Sequence, residues 1–317
     1  MTTTPVRNTL PLIAGEVVVR SVERLTPSYV RVELGGPVLA DFGVDGPLRD
    51  QRLKLVFPGP SGRYSTFEGA DESWFSSWQS IPVEERGHMR TYTVRAVRGS
   101  GLDTRLVVDL VLHLAEGASG PASLWASRAT VGDRLGIVAP RRGHPFGGIE
   151  FQPGAASRLL LVGDETAVPA VAGILEGLPV DAAGTAYLEV PQTADVLDLR
   201  HPAGIRIVWL PRDGAPHGER ACRAVLGLFG LGDLCEPVDE SDVDPDLWET
   251  PTHSSSGEPL PGTDDAPVEE VGGLYAWVAG ESAMVTRLRR HLVRDVGLDR
   301  RQVAFMGYWR RGVAMRS

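Results

Sequence analysis

The feature that most constrains this chain is a change of rhythm near its midpoint. Before it, short runs such as "EVVVRSVERL", "YVRVELGG", "RLKLVFP", "HMRTYTVRAV", "TRLVVDLVLHL" and "DRLGIVAP" alternate apolar and polar residues between Gly, Pro and Asp. Six such strands within about 125 residues predict an antiparallel β-barrel, interrupted by one short helix in "GPASLWASRA". After it, "RLLLVGDE", "GTAYLEV", "IRIVWLP", "LYAWVAG" and "QVAFMGYW" read as strands, with "TAVPAVAGILEGL", "ERACRAVLGLFG" and "ESAMVTRLRRHLVRDVG" as helices between them. Strands alternating with helices predict a parallel sheet covered on both faces. The break falls in "GGIEFQPGAASR", which divides the chain into residues 1–152 and 153–317. The fold class is thus an N-terminal antiparallel β-barrel followed by a parallel-sheet α/β domain.

Charge is unevenly placed. The net charge is −9, yet Glu236 to Glu270 holds 12 acids and no Lys or Arg. With those acids set aside the remainder is +3, so the acidity belongs to one insert, predicted to be a long flexible loop. An acidic balance argues against a general nucleic-acid binder. Cys222 and Cys235 form no CxxC pattern, which excludes a zinc ribbon or an iron–sulfur motif and leaves no metal ligands to name. No apolar run reaches the length of a spanning helix, and "MTTTPVRNTLPLIAG" lacks a signal-peptide pattern. A cytoplasmic monomer without membrane insertion is the resulting expectation. Lys54 is the sole lysine; every other basic residue is arginine.

A barrel followed by a nucleotide-binding α/β domain is the architecture of ferredoxin-reductase-type flavin reductases, an inference by analogy alone. Residues inside "HMRTYTVRAV" give it chemistry. Arg90 offers a forked cation to a pyrophosphate, Tyr92 a flat partner for an isoalloxazine, and Thr93 a hydroxyl or amide for the flavin edge. The bland reading is an exposed arginine among ordinary strand residues. In "GPASLWA", Gly120, Pro121, Ala122 and Ser123 open a helix whose free amides suit phosphate, and Ser123 either caps it or touches the ligand. His113, just before, either faces the flavin or is structural.

These segments, with "SIPVEERGHMRTYTVR", "VDLVLH", "GDRLGIVAPR", "LLLVGDETAVPAVAGILEGLP" and "AWVAGESAMVTRLRRHLVRDVGLDRRQVAFMGYWRRG", resemble the siderophore-interacting protein family in consistent order from about Glu16 to Gly312. The family consists of FAD-containing ferric-siderophore reductases. The resemblance implies that Arg90, Tyr92 and Thr93 hold FAD and that Gly120, Pro121, Ala122 and Ser123 bind its pyrophosphate. "HLAEGASGPAS" is longer between His113 and Gly120 than the family pattern, which leaves the role of His113 open.

In the second domain the resemblance places a nicotinamide nucleotide, NADH or NADPH, at "GDETAVPAV", where Asp164, Glu165 and Thr166 end a strand and Thr166 is positioned to cap the next helix. "AGES", with Ala279, Gly280 and Glu281, repeats that geometry where broader ferredoxin-reductase relatives carry Cys-Gly. No cysteine stands there, so a thiol has no part in hydride transfer. Trp309 either packs near the flavin or fills the core. Arg200, Arg206 and Arg212 are available to a 2′-phosphate.

A ferric siderophore is often anionic and needs local positive charge. Lys54 alternates against Leu53 and Leu55, so it faces either solvent or a cleft. Arg310 and Arg311 are further substrate candidates, and Arg141 and Arg142 weaker ones. "TRLRRHLVRD" is an amphipathic helix with Arg287, Arg290 and Arg294 on a solvated face. The expected function is an NAD(P)H-dependent, FAD-containing ferric-siderophore reductase, with a ferric siderophore as its partner and no side-chain acid or base required. Two rivals share much of this pattern. One is a general flavin oxidoreductase with another acceptor. The other is a non-enzymatic siderophore-binding factor.

Overall fold

The computed structural model describes residues 10–67, 70–114, 119–235, 243, 247–250 and 273–312. Seven strands form the first sheet: β1 (Leu12–Thr26), β2 (Tyr29–Gly35), β3 (Arg52–Phe57), β4 (His88–Thr93), β5 (Ala96–Arg98), β6 (Arg105–Val111) and β7 (Arg134–Pro140). Their order is β4-β3-β7-β1-β2-β6-β5 and every pair is antiparallel. Val17, Val19, Val32, Leu34, Leu55, Leu106, Val108 and Ile137 alternate inward and meet in one buried core. The expected single strand over 88–97 is two. The Val94 amide donates to Gln51 O at 2.8 Å and the Arg95 amide to Val107 O at 2.9 Å, one on each sheet edge. The run therefore crosses from one edge to the other and closes the barrel.

Two short helices, α1 (Trp74–Ser80) and α2 (Val83–Arg86), cover the outer barrel face between β3 and β4. Trp78, Phe67, Val56 and Met89 form a second apolar layer there. A crevice of about 740 Å³ beneath α1 is lined by Tyr64, Phe67, Trp74 and Trp78 and includes none of the candidate site residues.

The second sheet contains β8 (Arg158–Gly163), β9 (Gly184–Val190), β10 (Ile205–Pro211), β11 (Trp248–Glu249), β12 (Leu274–Glu281) and β13 (Val303–Trp309) in the order β10-β9-β8-β12-β13-β11. All neighbours are parallel except β11 against β13. Helices α4 (Val168–Glu176), α5 (Glu219–Gly227) and α6 (Ser282–Arg294) flank it, and α3 (Pro121–Ala126) belongs to the barrel. Alternation sorts the strands cleanly: Leu159, Leu161 and Trp277 face α4, while Leu160, Val162 and Val278 face α5 and α6. The barrel packs on the α4 side, where Tyr29 joins the core.

The acidic stretch is not wholly a loop. Trp248 stacks on Tyr308 (5.8 Å, 20°) beneath the Arg52 guanidinium at 4.3 Å. Glu249 is held by Arg289 and Arg300. An aromatic residue amid acids gains apolar burial by pairing with the sheet edge, a benefit that composition hides. Apart from Val243 and residues 247–250, the stretch lies outside the described residues.

Candidate functional site

Strand register first sorts the barrel candidates by face. Lys54 pairs with Thr91 and Leu53 with Tyr92, so Arg90 and Tyr92 share one side of β4, and Thr91 and Thr93 the other. Tyr92 meets Phe57 edge-on at 5.9 Å, and Phe57 meets Trp125 of α3 at 5.2 Å. The Arg90–Tyr92 strand and the Gly120–Ser123 turn, some 30 positions apart, are thereby brought together. Thr93 is buried on the opposite face.

Arg90 is half-buried and donates only to Met89 O, at 2.6 Å. No carboxylate pairs with it among the described residues, and burial pulls its pKa below the usual guanidinium value. Gly120 precedes α3 with open space where a side chain would stand, and Pro121 starts the helix. Ser123 does not cap it: its Oγ accepts the His113 amide at 2.7 Å. A half-buried cation with no acid partner among the described residues, an aromatic ring and a helix start without a side-chain cap fit a flavin dinucleotide.

His113 bridges the two sheets. Its ring lies 4.5 Å from Trp309, and its Nε2 is 3.0 Å from Glu165 Oε1. Glu165 and Asp164 end β8 beside the end of β12, where the strand order reverses. Both are fully enclosed. Asp164 Oδ1 accepts the Thr166 amide and hydroxyl at 2.8 and 2.6 Å; its Oδ2 accepts the Glu281 amide at 2.7 Å and Trp309 Nε1 at 2.8 Å. The Thr166 hydroxyl is thus committed to the turn rather than capping α4, which begins after Ala167 without a side-chain cap. Gly280 has φ +144, and a Cβ there would stand 2.7 Å from Asp164 Cγ, so the two turns meet at glycine distance. Glu281 caps α6 through Ala283 and Met284, and its other oxygen accepts the Arg311 amide.

Arg212 and His217 complete the cluster, and of the two only His217 was passed over by sequence reading. Arg212 forks onto Glu165 at 2.7 and 3.0 Å, which takes it from the 2′-phosphate role considered for it. Arg200 and Arg206 remain exposed. The His217 ring lies 3.4 Å from Asp164 Oδ2 and 3.6 Å from Glu165 Oε2, longer than good hydrogen bonds, and edge-on to Trp309 at 5.4 Å. Burial opposes its charging, but the two carboxylates outweigh burial and raise its pKa to about 10. Burial likewise opposes ionisation of Glu165; hydrogen bonds from His113 and Arg212, with the His217 ring close by, hold it well below the usual carboxylate range. Asp164, Glu165 and His217 bring ligand atoms within 4.8 Å of one another. Arg212 and His217 stand among these two carboxylates and the buried Glu189, which Arg212 also reaches at 3.3 Å, so the arrangement is an ionic network. The loop histidine His217 carried no motif to mark it.

On the outer barrel face, the Lys54 amine is 3.4 Å from Thr91 Oγ1 and pairs with no acid among the described residues. Burial, then nearby Arg52, pull its pKa below the lysine norm. Arg52 is bound to Glu150 and lies on Trp248, which stacks on Tyr308 ahead of Trp309 and Arg310. Lys54 and the end of β13 are linked through these contacts. Arg311 is exposed. Arg141 is paired with Asp41, and Arg142 donates to Phe42 O.

Residues 18–144 match the family described as the siderophore-interacting FAD-binding domain, and residues 156–312 the family described as siderophore-interacting protein. An uncharacterized protein of Mycobacterium tuberculosis is 32% identical over 307 residues, 95% of this chain and 91% of that one. Ferric vibriobactin reductase ViuB of Vibrio cholerae is 28% identical over 91% of this chain and 86% of its own. The crystal structure of the siderophore-interacting protein SipS from Aeromonas hydrophila superposes with a TM-score of 0.63 at 29% identity, covering 96% and 94% of the two chains. A ferredoxin NADP+ reductase from Neisseria gonorrhoeae shares the fold at 12% identity and a TM-score of 0.54, over 94% of this chain and 98% of that one.

Proposed function

The chain belongs to the siderophore-interacting protein family, and on that premise we propose that it moves electrons from NADH or NADPH, by way of FAD, to the Fe(III) of a siderophore. The observation that carries this reading is a pair of half-buried cations, Arg90 and Lys54, with no acid partner among the described residues. A protein of net charge −9 has ample acid to neutralise them. Leaving two desolvated cations without one is costly unless a ligand anion completes each.

Arg90 is assigned the FAD pyrophosphate, with the first-turn amides at Ala122 and Ser123, and Tyr92 the flavin ring. FAD, when bound, accepts two electrons together and gives them up singly. The nicotinamide nucleotide is assigned to the ends of β8 and β12, where an open α/β sheet reverses its strand order. The buried Asp164–Glu165–His217–Arg212 network holds those turns and sets Trp309 beside His113. Lys54, Arg310 and Arg311 are assigned to the anionic ferric complex. Oxygen donors favour Fe(III), so reduction loosens the complex. The site offers positioning and charge rather than an acid or base. No helix among the described residues is long and apolar enough to cross a membrane.

The test is anaerobic. The yellow holoprotein is mixed with NADH or NADPH and then with a ferric siderophore, while flavin absorbance and trapped Fe(II) are followed. Bleaching by a nicotinamide, followed by recovery with one Fe(II) per electron, supports the proposal. Bleaching without Fe(II) release assigns the chain to another acceptor. Absence of bleaching removes the enzymatic reading.

A further inference from the structure

Two thiols that no motif connects are brought together on the face of the second sheet remote from the barrel. Cys222 lies in the first turn of α5, fully enclosed. Cys235 follows the short 3-10 turn Gly232–Leu234 after that helix and packs into the same apolar cluster. The Sγ of Cys235 is 3.8 Å from Glu219 O. Glu219 stands one turn before Cys222, and a helical side chain leans over the turn preceding its own Cα. Cys235 therefore sits where the Cys222 side chain points. Burial first, and then the Cys235 thiol beside it, push the Cys222 thiol up.

A cation completes the arrangement. Arg287 Nη1 lies 3.8 Å from Cys235 Sγ, and Arg287 Nε is buried without a partner. No carboxylate pairs with Arg287 among the described residues. Its guanidinium is directed at sulfur instead. The helix face read from sequence as merely solvated thus carries one arginine turned inward onto a thiol.

We propose that Cys222 and Cys235 are a peroxide-sensitive pair that closes to an intramolecular disulfide, fixing α5 to the residue that precedes the acidic stretch. The oxidant is hydrogen peroxide. Cys235, half-buried and beside Arg287, attacks one peroxide oxygen; the O–O bond breaks, leaving a sulfenic acid and releasing water. The Cys222 sulfur then attacks the Cys235 sulfur; the S–S bond forms, the S–O bond breaks and a second water leaves. Two thiols lose two electrons and two protons, and one peroxide becomes two waters. The helix so fixed is the one whose first turn is held by Glu189, which accepts the Gly218 and Ala221 amides and also touches Arg212 of the ionic network.

The test uses the reduced, desalted full-length holoprotein titrated with hydrogen peroxide. Expected are the joint loss of both titratable thiols, an intact mass lower by about 2 Da for the two lost hydrogens, and full reversal by dithiothreitol. Proteolysis without reduction should yield one peptide linking Cys222 to Cys235. In Cys222→Ser, the Cys235 sulfenic acid should persist and be trapped by dimedone. In Cys235→Ser, Cys222 should survive the same treatment. Retention of both thiols in the wild type, addition of oxygen without the lighter species, or a disulfide only between chains would overturn the pair. Equal oxidation of Cys222 in Cys235→Ser would overturn the assignment of Cys235 as the attacking sulfur. The readout is independent of electron transfer to iron, so it can fail while the proposed function stands.

Discussion

Individual charges in this molecule fall into two kinds, those that are satisfied internally and those that are not. Arg212 belongs to the first and Arg90 to the second. Replacing Arg90 by Ala should lower FAD affinity roughly 10- to 100-fold, the loss expected for charge-assisted bonds to a phosphate. The check is flavin absorbance of the purified chain against free FAD concentration. Lys54→Ala should instead leave FAD content intact and raise KM for an anionic ferric siderophore; an unchanged KM would remove Lys54 from the substrate site. His217 gives a pH signature. Its folded pKa, near 10, lies above the ordinary 6.5. Its stabilisation is therefore whole below pH 6.5 and is lost as pH rises to about 10. The melting temperature should fall across that window in the wild type, and this component of the fall should be absent in His217→Gln.

At the scale of elements, the β8 and β12 turns depend on how closely two backbones approach. Gly280 is left-handed and faces Asp164 Cγ. Gly280→Ala adds strain and a collision with a buried carboxylate, a cost of about 1–3 kcal/mol. The variant should melt several degrees lower. Its flavin should also be bleached more slowly by the preferred nicotinamide while FAD binding is retained, because Arg90 and α3 lie in the other sheet. Equal loss of FAD binding would show that the turn supports the whole chain rather than the nucleotide end.

Across the whole molecule, the barrel and the α/β sheet are joined by polar ties, several of them buried. Asp195 accepts Thr26 Oγ1 at 2.7 Å, the Ser28 amide at 2.8 Å and Ser28 Oγ at 2.8 Å. Trp277 Nε1 donates to Asp50 at 3.1 Å, Tyr29 OH donates to Glu165 O at 2.9 Å, and Arg95 forks onto Glu176. Asp195→Ala strands three donors at this junction, at a cost of about 1–3 kcal/mol for each that water does not reach. Lower thermal stability and faster proteolysis between the two sheets are expected. Unchanged values would mean that the remaining ties and the apolar face around Tyr29 and Phe151 hold the junction without Asp195.

The sequence by itself determined both sheets, because apolar periodicity of two and of 3.6 is a local consequence of which face is buried. Only the resemblance of its ordered motifs to a family singled out Arg90, Tyr92 and the Gly120 turn, whose residue types are ordinary in a strand and at a helix start. The tertiary structure alone decided which charges are paired. The pKa of His217 is raised by two carboxylates contributed by another loop, and Arg212 is withdrawn from solvent by Glu165. Cys222 meets Cys235 only after the chain folds back from α5. Trp248 leaves an acidic run for a sheet edge because stacking on Tyr308 buries it. Pairing, burial and register depend on neighbours distant along the chain, and no local pattern records them.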